Sequence, residues 1–448
     1  MSILSSLNRT QKEAIGLLQI GTFLEYFDLM LYVHMAVLLN DLFFPKTDPK
    51  TASLLTAFAF CSTYFLRPFG ALFFGYIGDN LGRKTTVIMT TMIMAVSCIV
   101  MATLPTYAQI GITAAWLVTL CRVAQGLSSM GEILGAEIYM TEITKPPVRY
   151  PAVGLIGVAS RFGTVVALGV AMLVTSYGFN WRTGFWMGAA IAVVGSVART
   201  RLRETPDFVD MKRQMKKIME DAQERRPHDA KEMMEITKKL QREKISWKTI
   251  YAYFSVASGA TVSLYFSYFY CGGLLKEMGF TPEAIIYQNF FVALVELVAM
   301  ILTVFVSYRI YPLKILKFKV LLFIPFLCVL PFLIANSPTP SMIFFIQVVA
   351  VTLCFSGIPA TAILYVHFPV FKRFTYVSFI YAISRSLMAV VTSFGIVYLT
   401  DFFGPWGLYF IFIPLISTFL WGIYHYEKLE HRTDRSFIGS LFQWKTVT

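Results

Sequence analysis

The sequence predicts an all-α membrane protein with twelve transmembrane helices in two pseudo-symmetric sets of six. Three observations predict it. First, 56% of the residues are hydrophobic and 15% charged, with a mean hydropathy of +0.62. Second, the apolar residues gather into runs of roughly 20, the length that crosses about 30 Å of hydrocarbon at about 1.5 Å per residue. Third, the connections between runs alternate between basic and nearly uncharged. Backbone groups in lipid must bond within their own segment, and no alternating ten-residue pattern points to a barrel, so the runs are helices.

The spans fall near 15–40, 52–78, 85–104, 109–138, 151–176, 183–200, 249–274, 285–307, 318–335, 340–366, 375–399 and 405–425. With this topology one side of the bilayer receives 31 of the 39 Lys and Arg, while the other receives only Lys46, Lys50, Arg182 and Lys276. The bias predicts that both termini are cytoplasmic. It also explains the net charge of +13 without a nucleic-acid partner. The six cysteines are scattered through apolar runs with no C-x-x-C pair, so neither a disulfide framework nor a metal site is expected. No cofactor is implied. The polar start, Met1–Glu13, runs into a full span without a small-residue cleavage site, so no cleaved signal peptide is expected.

The loop 199–248 holds 15 Lys and Arg and 10 Asp and Glu. It separates an N-terminal bundle (1–206) from a C-terminal bundle (249–426), with a central cytoplasmic loop over 207–248 and a cytoplasmic tail over 427–448. Within the loop Phe208, Met211, Met215, Ile218, Met219 and Ala222 recur at three- and four-residue steps. That spacing predicts an amphipathic helix covering the cytoplasmic surface.

Between the second and third spans lies Gly75-Tyr-Ile-Gly78-Asp79-Asn80-Leu81-Gly82-Arg83-Lys84. Its glycines let the chain reverse, Asp79 can accept from the exposed N–H groups of a neighbouring helix end, and Arg83-Lys84 hold the turn on one side of the membrane. An internal repeat accompanies it. Shifting 146–175 by 224 residues onto 370–399 matches Arg149 with Arg373, Ser160 with Ser384 and Arg161 with Arg385, among six identities. Spans five and eleven are therefore symmetry mates, each offering a guanidinium at similar depth.

Charges inside spans cost roughly 2.5–3.5 kcal/mol each on insertion scales and persist when paired or facing water. Arg67, Arg122, Arg161 and Arg385 are the bases, and Glu25, Asp28, Glu132 and Glu296 the acids. Glu25 and Asp28 share a helix face, and two close carboxylates in low dielectric resist joint ionisation, so the pair is a candidate proton carrier. Arg122, Gln125, Ser129 and Glu132 form a polar stripe on span four, expected to face water. Arg161 and Arg385 suit an anionic group such as a carboxylate. Tyr265 and Tyr268 in span seven are candidate faces for a cationic group, and Glu296 joins them as a candidate substrate contact.

The turn G-x-x-x-D-x-x-G-R-K resembles the signature of major facilitator superfamily transporters. The combination Gly21-Thr-Phe-Leu-Glu25-Tyr-Phe-Asp28, Phe65-Leu-Arg67-Pro68-Phe-Gly70, Arg122-Val-Ala-Gln125-Gly126, Gly131-Glu132, Trp181-Arg182 and Leu202-Arg-Glu204-Thr205-Pro206 resembles the metabolite:H⁺ symporter family. That family includes bacterial proline/betaine and α-ketoglutarate permeases. The resemblance implies the major facilitator fold, alternating access in a bacterial inner membrane, and import of a small polar metabolite with protons by a monomer. It further implies gating roles for Gly75, Asp79, Gly82 and Arg83, and proton-linked roles for Glu25, Asp28, Arg67, Arg122 and Glu132. The turn after span eight, Ser307-Tyr-Arg-Ile-Tyr-Pro312, lacks the Gly and Asp of a second gating turn. Arg161 leans the substrate toward a carboxylate-bearing solute, an organic acid or zwitterion. The alternatives are a facilitator, antiporter or exporter, and a polytopic membrane enzyme. The last would need an interfacial His-Asp or metal-ligand cluster, and the sequence offers none.

Overall fold

A computed structural model describes residues 7–35, 39, 42–44, 49–224, 245–336, 338–353 and 355–430. Among them the regular structure is all helix, with no strand. The N-terminal half comprises α1 (Arg9–His34), α2 (Pro49–Asn80), α3 (Arg83–Thr103), α4 (Ile112–Ile143), α5 (Arg149–Tyr177) and α6 (Arg182–Arg199). A connecting helix α7 (Pro206–Glu224) follows. The C-terminal half comprises α8 (Trp247–Leu264, carried on through a π-helical stretch Tyr265–Tyr270 and Cys271–Glu277), α9 (Pro282–Val306), α10 (Pro312–Ala335), α11 (Pro340–Thr352), α12 (Thr361–Val366), α13 (Arg373–Phe403) and α14 (Tyr409–Leu429).

Local chemistry sets these boundaries. Prolines open α9, α10 and α11, where a missing N–H costs nothing. Thr281 and Thr339 cap α9 and α11 by accepting from Ala284 N and Met342 N. The expected span 340–366 is instead two helices, because the chain leaves helical geometry between α11 and α12, where Gly357 and Pro359 lie. In α7, Phe208 and Met211 of the predicted apolar stripe are buried. The other four side chains of that stripe, residues 225–244 and the tail from 431 onward lie outside the described residues. Cys98, Cys121, Cys271 and Cys328 are unpaired.

The predicted repeat is visible in bonding as well as in sequence. Arg149 Nε donates to Thr144 O, five residues back, at 2.7 Å, and Arg373 Nε donates to Phe368 O, also five back, at 3.2 Å. Ser160 Oγ donates to Gly157 O at 2.6 Å and Ser384 Oγ to Tyr381 O at 2.8 Å, each three residues back. Helices α5 and α13 thus enter their bundles in the same way, 224 residues apart.

The two halves are joined by polar contacts where Asp79, Arg83, Glu142 and Arg373 gather, here termed the basic end. Asp79, at the foot of α2, accepts from Phe374 N at 3.1 Å and Thr375 N at 2.9 Å, so it caps α13 of the opposite half. This is the helix-end role expected from the sequence. Gly75 allows the approach: a Cβ there would lie 2.8 Å from Thr375 Cα. Gly82 turns the chain with φ 118° and ψ 157°, a region that only glycine adopts without strain. A Cβ at Gly82 would also sit 2.1 Å from Glu204 Oε2. Gly82→Ala is therefore expected to cost at least about 1–3 kcal/mol, seen as a lower unfolding temperature of the detergent-purified protein. An unchanged midpoint would mean that the turn adapts freely.

Arg83, expected to help hold the turn on one side of the membrane, is 0% exposed. It donates to Gly78 O (2.8 Å), Asp79 Oδ1 (3.4 Å), Glu142 Oε1 (3.1 Å) and, in the opposite half, Val370 O (2.9 Å). Arg373 reaches the same Glu142 oxygen from the other half at 2.9 Å, and Thr205 Oγ1 donates to Glu142 Oε2 at 2.6 Å. Glu204 accepts from Arg83 N at 3.0 Å, capping α3. A buried guanidinium survives here because its donors are matched to carboxylates and carbonyls. The turn after α9 has no carboxylate, so the Asp79 cap has no counterpart at α5, as its sequence leads one to expect.

Candidate functional site

Between the halves lies a cavity. From the N-terminal half Thr22 and Tyr26 of α1, Glu137 of α4, and Ser160 and Arg161 of α5 line it. Tyr253 of α8, Tyr365 of α12, and Tyr381 and Arg385 of α13 line it from the other half. The two symmetry-related arginines thus reach one chamber from opposite sides, each 7% exposed. Their second environments differ. Arg161 Nε pairs with Glu296 Oε1 at 3.1 Å, and Tyr268 OH donates to Glu296 Oε2 at 2.8 Å, so three predicted residues form one chain. Arg385 Nη2 donates to Tyr381 OH at 2.6 Å, and its guanidinium carbon lies 4.9 Å from that ring's centroid. Among the described residues no carboxylate lies within 4 Å of Arg385.

Tyr265 does not join them. Its hydroxyl donates to Ser393 O at 3.3 Å, within its own half, and it does not line the cavity. The reason is the π-helical stretch that begins at this residue. Hydrogen bonds spaced i→i+5 advance less per residue than an α-helix, so residues three apart no longer share a face.

The predicted proton-linked residues lie beside the chamber, in the N-terminal half. Glu25 is 2% exposed and 3.6 Å from Arg67 Nη2, whose guanidinium carbon lies 4.5 Å from the Tyr64 ring centroid. Both Glu25 oxygens lack a hydrogen-bond donor among the described residues. Asp28 is held more firmly. Arg122 donates to it at 3.0 Å, the Cys98 thiol at 3.8 Å, and Arg122 also donates to Gln125 Oε1 at 2.9 Å. Arg122 lies 4.0 Å from the Tyr32 ring centroid. Glu25 and Asp28 thus share a helix face as expected, but each carboxylate faces its own arginine rather than the other.

The stripe on α4 is a packed network rather than a wet surface. Arg122, Gln125, Ser129 and Glu132 are all buried and none lines the cavity. Glu132 accepts from Thr90 (3.0 Å) and Thr91 (2.8 Å) of α3 and forms a salt bridge with Arg199. Arg199, expected in the cytoplasmic loop, turns back into the bundle at the end of α6 and donates to Leu17 O and Leu18 O. Glu132→Ala leaves that guanidinium buried without a counter-charge, an expected loss of about 3–5 kcal/mol. The check is the yield and thermal stability of purified protein; an unaltered midpoint would show that water screens Arg199.

Sequence reasoning missed Glu137, 7% exposed, whose carboxylate accepts from Tyr365 OH of the opposite half at 2.5 Å. It also missed Tyr26, Tyr253 and Tyr381 in the cavity wall. The signal was present for Glu137, which lay within the span read at 109–138. Among the described residues no group of His, Cys, Asp and Glu is arranged to hold a metal.

The Sugar (and other) transporter family profile matches residues 17–429. The chain is 33% identical over 204 residues to a proline/betaine transporter of Salmonella typhimurium, a match covering 44% of this chain and 41% of that protein. It is 35% identical over 209 residues to the inner membrane metabolite transport protein YhjE of Escherichia coli, covering 44% and 47%. The chain therefore spans less than half the length of these relatives. A solved proton:xylose symporter, XylE bound to 6-bromo-6-deoxy-D-glucose, superposes with a TM-score of 0.72 at 13% identity, covering 94% of this chain and 96% of that one. At that identity the likeness shows the fold. Together with the two halves and the chamber between them, these matches place the chain in the Sugar (and other) transporter family, with the major facilitator fold.

Proposed function

We propose that this chain is a proton-coupled importer of a small organic acid or zwitterion. It works by alternating access in a bacterial inner membrane, with twelve spans, both termini in the cytoplasm, and the basic end as the cytoplasmic face. Bundles 1–206 and 249–426 rock about the chamber. Arg161 and Arg385 bind the solute's carboxylate, with Glu296 and Tyr268 positioning Arg161. Glu25 carries the proton, Arg67 sensing its charge, while Asp28 and Arg122 hold the helices around it. Gly75, Asp79, Gly82 and Arg83 form the cytoplasmic gate. The observation that carries this reading is the meeting of two symmetry-related buried guanidiniums, one from each half, on a single chamber. Buried cations at such depth are costly unless an anion or water meets them.

The contacts at the basic end support alternating access. Asp79 on Phe374 and Thr375, Arg83 on Val370 O, and Glu142 shared by Arg83 and Arg373 all span the two halves. Opening toward that end requires breaking them together, which a bound solute and a neutralised Glu25 would favour by changing the charge balance nearby. The test is uptake into proteoliposomes holding the full chain, screened over labelled amino acids, betaines and carboxylates with and without an imposed inward proton gradient. Gradient-stimulated accumulation of a carboxylate-bearing solute is expected. Gradient-driven efflux, or uptake confined to uncharged sugars, would overturn the reading.

A further inference from the structure

The chamber holds one charged group that the transport scheme leaves without work. Glu137 lines it from α4, and its one hydrogen bond among the described residues is from the neutral Tyr365 hydroxyl at 2.5 Å, with Arg385 acting on it electrostatically across the space. Among the described residues no Lys, Arg or His lies within 4 Å of its carboxylate. Arg385 lines the same chamber from the opposite half, likewise with a tyrosine hydroxyl and no carboxylate. Arg161, by contrast, already has Glu296. The space therefore offers one guanidinium and one carboxylate, one on each half, that attract across it but among the described residues form no direct ion pair within 4 Å. Aromatic rings stand beside both: Tyr253 meets Tyr365 at 5.8 Å, and Tyr381 lies under Arg385.

Resting on the transport reading above, we propose that Glu137 is a specificity-determining residue that takes the cationic end of a zwitterionic solute whose nitrogen bears at least one N–H, while Arg385 takes its carboxylate. The hydrogen bond from Tyr365 holds Glu137 when the chamber is empty and yields to the solute's N–H when it fills. A buried carboxylate discriminates strongly among ligands, because one that offers a donor replaces the tyrosine bond and one that does not leaves the charge unmatched. A dicarboxylate sets a second negative charge against Glu137. A quaternary ammonium satisfies charge but donates no hydrogen bond. Because Glu137 and Tyr365 belong to opposite halves, the exchange also joins solute binding to a contact between them.

The experiment is equilibrium binding of labelled L-proline, glycine betaine and succinate to the full detergent-purified chain, as wild type, Glu137→Gln, Glu137→Asp and Tyr365→Phe. Wild type is expected to bind L-proline at least tenfold more tightly than either other probe. Glu137→Gln is expected to lose that preference, Glu137→Asp to retain part of it, and Tyr365→Phe to bind L-proline as tightly as wild type or more so. Unchanged preference in Glu137→Gln would overturn the role of Glu137. Loss of preference in Tyr365→Phe would overturn it too, since the pair would then be structural. Preference of the wild type for succinate or glycine betaine over L-proline would remove the N–H zwitterion class and leave the transport reading intact. Binding of none of the three would remove both.

Discussion

Replacing Arg385 by Ala is expected to lower solute uptake by roughly thirtyfold to several thousandfold, while the protein stays in the membrane at near-normal abundance. The estimate takes a buried charged hydrogen bond to the solute as worth about 2–5 kcal/mol, at about 1.4 kcal/mol per tenfold. Abundance should hold because among the described residues Arg385 donates only to Tyr381 and forms no direct ion pair, acting on Glu137 and Glu25 only at a distance. Arg161→Ala is expected to abolish uptake as well, with a further consequence for stability. It strands Glu296, 5% exposed, and an acid buried without its base costs about 3–5 kcal/mol. Arg161→Ala combined with Glu296→Gln should therefore restore stability but not uptake. Arg385→Lys keeps charge without the planar fork and should recover little. Near-normal transport by both alanine variants would remove the two arginines from the site.

Glu25→Gln is expected to abolish accumulation driven by a proton gradient and to spare solute exchange across vesicles equilibrated to one pH. Glutamine mimics the neutral acid in shape but cannot release a proton, so the carrier would be fixed in its protonated form. Glu25 suits this task better than Asp28. Neither of its oxygens receives a hydrogen bond among the described residues, and Arg67 stands 3.6 Å away, whereas Asp28 is bound by Arg122 and Cys98. A carboxylate poorly stabilised in its charged state exchanges a proton at small cost. Asp28→Asn should instead act on stability, by releasing Arg122 from its partner. Unchanged gradient-driven accumulation in Glu25→Gln would reject the proton role.

The parts of the fold that were legible in the sequence are those with one physical solution. Runs of about 20 apolar residues can only be helices in lipid. A short turn between antiparallel helices must present its acid to something, and Asp79 does so at the start of α13. The 224-residue shift pointed to Arg161 and Arg385 because arginine inside a span is too costly to recur there without use. What stayed hidden depended on which neighbour a residue would meet. Arg199 read as loop because hydropathy ends there, yet its long side chain reaches back to Glu132. Glu142 lay beyond the expected end of span four and Glu137 one residue inside it, although α4 runs on to Ile143. The stripe of Arg122, Gln125, Ser129 and Glu132 has the same spacing whether it faces water or neighbouring helices. Only the partners Asp28, Thr90, Thr91 and Arg199 decide between them. The π-helical register that turns Tyr265 away from Tyr268 leaves no mark in hydropathy.

The central claim is that solute and proton are bound in neighbouring parts of one chain and cross together. It is tested most directly by recording labelled solute entry and lumenal pH in the same proteoliposomes, with no gradient imposed beforehand. Solute added outside should enter and acidify the lumen in a fixed ratio, both signals should vanish in Arg385→Ala, and acidification alone should vanish in Glu25→Gln. Solute entry without any change in lumenal pH in the wild type would contradict the account.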